Sequence, residues 1–129
     1  MVKDLVMLVK ITVSTREKEE AIDITPQVQK TIEASGVEEG FIIIYVPHET
    51  AAVSIHSALD EKELPKWKEM LEAIRISEKA TGETKAAFVA PTEVGVIEGG
   101  KMVLGPDQRI FFYEFDGPKD RWVYLYIGK

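Results

Sequence analysis

FIIIYVPHETAAVSIH, residues 41–56, sets the pattern of the fold. Phe41 to Pro47 is a run of β-branched and aromatic side chains without polar alternation, the composition of a strand covered on both faces. Thr50 to His56 continues as a second strand. Between them Pro47 supplies no ladder donor and holds Val46 extended, so Pro47-His48-Glu49 must form a bend or bulge. Both histidines of the chain, His48 and His56, lie in this stretch. On one straight strand, steps of about 3.3 Å would part them by roughly 26 Å. If the chain folds back at the bend, His56 still lies toward the far end of the returning strand. A structural zinc needs about four ligands and a catalytic one about three plus water, so one chain brings at most one histidine to such a cluster.

Upstream, Leu5, Met7, Val9, Ile11 and Val13 alternate with other residues, the period of a strand with one face in a core. Glu17 to Glu20 reads as a solvated charged turn, followed by a short strand over Ala21 to Ile24. Thr25 is placed to cap a helix with Pro26 in its first position, and Gly36 to end it. That helix is short and weakly amphipathic, with Val28 and Ile32 four apart, so packing must hold it. Downstream, Trp67, Met70, Leu71 and Ile74 form a helical stripe that predicts a long helix over residues 60–79 and a core role for Trp67. Pro65 marks its first turn, because a mid-helix proline costs about 3 kcal/mol. AAFVA, residues 86–90, reads as a strand stopped by Pro91. EVGVI meets KMVLG across Glu98-Gly99-Gly100 in a hairpin. RIFFYEF and WVYLYI flank Asp116 to Asp120, a reversal between strands expected to pair. The chain is thus expected to be a single α+β domain, residues 1–129, a mainly antiparallel twisted sheet of about eight strands with two helices.

The composition narrows the function. With 129 residues, 45% hydrophobic and 29% charged, the chain can bury a core as one domain. A net charge of −6 argues against a nucleic-acid partner, which requires a clustered basic surface. The aromatic run from Phe111 to Tyr126 lacks the basic interleaving of a stacking platform and reads as sheet packing and subunit contact. The glycines of GVIEGGKMVLG have no phosphate-loop or dinucleotide spacing. Cysteine is absent, which excludes disulfides, thiolate catalysis and thiolate zinc sites. The apolar start is too short to span a bilayer and lacks a cleavage signal, so no membrane partner and a cytoplasmic location are expected. The sequence has no asparagine and few glutamines beside many Glu and Lys, the usage of heat-adapted proteins.

Several short motifs occur in a telling order: Ser14-Thr15-Arg16, Asp23-Ile24-Thr25, Ser35-Gly36 before Gly40, and Val46-Pro47-His48 with Thr50-Ala51-Ala52-Val53. They are followed by Leu104-Gly105, Gln108, Ile110, Glu114-Phe115-Asp116-Gly117-Pro118 and Arg121. In this order the chain resembles, across nearly its whole length, the YjbQ-like proteins described as secondary thiamine-phosphate synthases. The resemblance implies an α+β fold, a homotrimer, and a pocket where subunits meet. It also shows departures. His56-Ser57 stands where the family has an Asn-Glu pair, Asp107 stands where a tryptophan precedes Gln108, and a segment with two further histidines is missing after residue 79. The divalent metal of the family therefore lacks donors here. No cofactor and no metal ligand are expected.

Each candidate site residue has a structural and a functional reading. His48 is either part of a ligand pocket or a bend residue bonded to backbone. Glu114 shares a strand face with Ile110 and Phe112, and a buried charge there requires a partner. Arg121 or Arg109 would supply it, and the other role for Glu114 is acid/base catalysis. Lys119 and Arg121 either belong to a turn or offer cations to a phosphate. Arg16 is a solvated strand end or an anion ligand, and His56 a partly exposed strand residue. Two function classes follow. In one, a trimeric scaffold retains a degenerate site for a small phosphorylated ligand. In the other, suggested by the resemblance, a transferase joins a pyrimidine pyrophosphate to a thiazole phosphate. There His48 and Gln108 orient substrate, Glu114 is base or metal ligand, and Arg121 holds phosphate.

Overall fold

A computed structural model describes residues 7–58 and 81–129. Among them the order is β1 (Met7–Ser14), β2 (Glu20–Asp23), α1 (Thr25–Ser35), β3 (Glu39–Tyr45), β4 (Ala51–Ser57), α2 (Gly82–Val89), β5 (Thr92–Glu98), β6 (Lys101–Met102), β7 (Gln108–Glu114) and β8 (Asp120–Gly128). The expected α+β class holds, with every strand pair antiparallel. Five strands form one sheet in the order β1-β8-β3-β5-β6, and three form a second in the order β2-β7-β4.

Period-two alternation builds the space between the sheets. Val13 on β1, Ile42 and Ile44 on β3, and Val123, Leu125 and Ile127 on β8 point inward. Ile110 and Phe112 of β7 meet them from the second sheet, and α1 adds Val28 and Ile32. The Gln29 side chain fastens α1 to the β5–β6 hairpin by donating to Gly100 O at 3.2 Å and accepting from Met102 N at 3.3 Å. A smaller cluster of Ala52, Tyr113, Phe115 and Ala86 lies where α2 covers the other face of β4 and β7.

Several sequence expectations are corrected. Residues 86–89 belong to α2 rather than to a strand, and Ala90 caps its C-terminal end. Thr81 caps this helix by accepting from Thr84 N, and a capped start followed by consecutive alanines outweighs the strand reading. Thr25 does not cap α1. Ile24 precedes the helix, and the Thr25 hydroxyl accepts from Ile110 N at 2.8 Å instead. β3 is covered on one face only, with Phe41 and Tyr45 exposed, because its neighbours pair edge to edge and nothing described lies over them. The Asp116–Asp120 reversal does not join paired strands: β7 and β8 belong to different sheets. The long helix expected at 60–79, with Pro65 and Trp67, lies outside the described residues.

The two faces of the large sheet should respond differently to truncation. Ile44→Ala empties a fully buried position and is expected to cost about 2–5 kcal/mol in denaturant unfolding. Val94→Ala, at 63% exposure, should shift stability by less than about 0.5 kcal/mol. Equal costs would place the core wrongly.

Candidate functional site

β7 turns Ile110, Phe112 and Glu114 to one face, so the carboxylate at the strand's end enters the space between the sheets with no solvent exposure. Four donors meet it. Arg121 Nε donates to Oε1 at 2.9 Å and Arg121 Nη2 to Oε2 at 2.5 Å. The Thr15 hydroxyl donates to Oε1 at 2.8 Å, and Asp116 N to Oε2 at 3.1 Å. Arg121 Nη2 also reaches Thr50 Oγ1 at 2.6 Å, and Thr15 Oγ1 accepts from Lys119 N at 2.9 Å. One ion pair therefore joins the ends of β1 and β7 to the starts of β4 and β8. Gly117 permits the approach, since a Cβ there would lie 2.2 Å from Glu17 O and 2.8 Å from Thr15 Oγ1.

Burial alone would raise the Glu114 pKa. Arg121, the Asp116 N–H and the Thr15 hydroxyl outweigh burial and hold it below the usual carboxylate range. Arg109 is not its partner, because Arg109 Nε binds Asp23 at 2.7 Å.

His48 lies where the β3–β8 ladder stops. The last pair is Tyr45 with Tyr124, and beyond it Pro47 has no N–H to offer. The imidazole takes over: Nε2 stands 3.2 Å from Trp122 N and 3.1 Å from Trp122 O, and the ring sits edge-on to the Trp122 indole at 4.5 Å. Burial, then the charge of Arg121, lower the His48 pKa against the opposing effects of the Trp122 contact and Glu114. Lys119 Nζ binds Asp116 at 2.9 Å, and this holds the Asp116 carboxyl low. His48, Glu114, Lys119 and Arg121 are thus neighbours. Arg16 follows Thr15 at their rim with an exposed side chain. Gln108 is apart, six residues from Glu114 along β7 or roughly 20 Å, and its Oε1 accepts from Gly105 N at 2.7 Å.

His56 stacks on Phe111 at 4.6 Å, and its ring nitrogens meet Ser57 O and the Tyr113 hydroxyl. Burial pushes the Tyr113 phenol strongly up. His56 and His48 share none of these partners. Sequence reasoning missed three residues. Thr15 and Thr50 stood inside the family motifs without a sign that their hydroxyls turn inward. Lys85 directly precedes the run read as a strand, and nothing in the sequence marked it; it is buried and paired with Glu19. Among the described residues no group of three or more His, Asp or Glu is arranged to hold a metal ion. No described helix is long and apolar enough to cross a membrane.

Residues 9–129 match the family model of the UPF0047 protein YjbQ-like. The chain belongs to the YjbQ-like family. A UPF0047 protein of Methanocaldococcus jannaschii is 34% identical, with 94% of each chain covered. YugU of Bacillus subtilis is 30% identical over 92% of this chain and 97% of its own. Among solved structures, a protein from Sulfolobus solfataricus, described as YbjQ-like and of unknown function, superposes with a TM-score of 0.84 at 33% identity, covering 98% of this chain and 100% of that one. Of the YjbQ-like motif residues, Ser14-Thr15, His48, Thr50, Glu114 and Arg121 are gathered together within the chain, and Gln108 lies apart from them.

The lowered His48 pKa has a testable sign. Between the unfolded value near 6.5 and the lower folded one, the unfolded chain binds more protons, so stability is full above about pH 6.5 and falls as pH drops through the folded value. Denaturant unfolding at a series of pH values should show this slope in the wild type and a shallower one in His48→Gln. An identical slope in both would contradict the assignment.

Proposed function

We propose that this YjbQ-like chain is a homotrimeric scaffold that binds a small phosphorylated ligand beside His48 and Lys119 without transforming it, in the cytoplasm. The observation that carries the reading is the saturation of Glu114. A general base or metal ligand must present a lone pair outward, whereas this carboxylate has accepted four donors from its own chain. His48 Nε2 is likewise engaged with the Trp122 backbone. These two side chains do not fit the shared divalent metal that the resemblance implies. What the cluster can do is attract an anion. Lys119 is half-exposed, and Arg16 is exposed at the rim.

Self-association is supported by the outer face of the large sheet. Leu8, Phe41, Tyr45, Val94, Val96 and Trp122 are exposed on it, and the register sets Phe41 beside Val96. An apolar patch of this kind on a soluble chain marks a contact surface. Trp122 carries it to the edge of the His48 site, so a neighbouring copy would border the ligand.

Light scattering should give about three times the 14.5 kDa chain mass. Inorganic phosphate, titrated calorimetrically, should bind at millimolar strength or better, and Lys119→Ala should weaken it about tenfold. Thiamine-phosphate formation from the two phosphorylated halves should stay at background. Turnover abolished by His48→Ala would replace this reading with the transferase. A monomeric mass would remove the trimer.

A further inference from the structure

Ala90 joins α2 to β5 with φ +89° and ψ 151°. Among the described residues it is the one non-glycine with a positive φ. This corner of backbone space belongs almost solely to glycine, because a Cβ there crowds the adjoining peptide groups. The surroundings nevertheless hold it. Its N–H donates to Ala86 O at 2.8 Å in the last turn of α2, and its carbonyl accepts from Val53 N at 3.2 Å. The next carbonyl, of Pro91, accepts from Val46 N at 2.9 Å. Pro91 also disfavours a helical conformation in the residue before it, so Ala90 cannot relax by extending the helix.

The two sides of this joint are unequal. β5 is paired along all seven of its residues with β3, and its Glu93 accepts from Ile55 N at 2.9 Å. α2 has eight residues, of which Lys85 and Ala86 are buried. It lies over Ala52, Tyr113 and Phe115, and the Lys85–Glu19 contact fastens its middle to the β1–β2 connection. Gly82, at its start, closes over Thr50: a Cβ there would stand 3.3 Å from Thr50 Cγ2. Strain between a long ladder and a short helix is relieved where fewer contacts oppose it, at the helix. We propose that α2 is a strap held shut against strain at Ala90, and that it leaves β4 and β7 as a unit while both sheets stay folded. Its release uncovers Thr50, whose hydroxyl receives Arg121 Nη2, and so sets how often solvent reaches the Glu114–Arg121 pair from the β4 side. The strap does not depend on what the His48 site binds.

Amide hydrogen exchange on the full chain, read by NMR at low denaturant concentrations, tests this directly. The Lys85 and Ala90 N–H groups are both bonded inside α2. They should exchange at least about tenfold faster than the ladder amides of β3 and β8, and with little dependence on denaturant. Ala90→Gly relieves the joint and should slow their exchange about tenfold, whereas glycine in an ordinary backbone conformation would quicken it. Ala90→Val should quicken it about tenfold with the β3 and β8 amides still protected. If that variant fails to fold, the wild type and Ala90→Gly decide the matter. Exchange of α2 in step with the ladders, or faster or unchanged exchange in Ala90→Gly, would overturn the proposal.

Discussion

A carboxylate with no solvent exposure survives as an anion only when its partners replace water, and the Glu114–Arg121 pair meets that condition within one chain. Its geometry is bidentate, and the remaining capacity of the carboxylate goes to a hydroxyl and a backbone N–H. The pair also crosses between the sheets, since Glu114 belongs to the three-stranded one and Arg121 to the five-stranded one. A buried ion pair is weak evidence of net stability, because desolvation offsets much of the attraction. Its contribution is geometric: it sets the positions of Thr15, Thr50 and the Asp116–Lys119 loop, and with them the surface where His48 and Lys119 stand.

The apolar core and this polar knot divide the work. Alternating strands and α1 supply the burial that drives folding, while the knot fixes how the ends of four strands meet. His48 extends the same logic to an edge. Proline ends the β3 ladder, and an imidazole then serves the Trp122 backbone, so a residue that looks functional in the sequence has a structural task as well. That dual use is compatible with a ligand site beside it, because Lys119 and Arg16 remain outside the saturated pair.

Much of the architecture was legible in the amino-acid order. The strict alternation of β1, the Gly99-Gly100 hairpin and the helix ending at Gly36 follow from local rules and reappear in the structure. The partner choice of Glu114 was legible only to within two arginines, because strand alternation gives the face of a residue but not what crosses from the other sheet. Thr15 and Thr50 were invisible as site members for the same reason. The misreading of residues 86–90 arose because a short apolar run fits a strand or a helix equally, and the deciding Thr81 cap lies outside the run. Gln108 was grouped with the site by resemblance, and within one chain the length of β7 separates it from Glu114.

The Glu114 carboxylate is fully committed inside the protein. A carboxyl-carbon NMR titration of Glu114, with and without added zinc, tests it most directly. The midpoint should lie below the ordinary glutamate value of about 4.3, and zinc should leave the resonance unmoved. A midpoint above that value, or a stoichiometric shift on adding zinc, would contradict it.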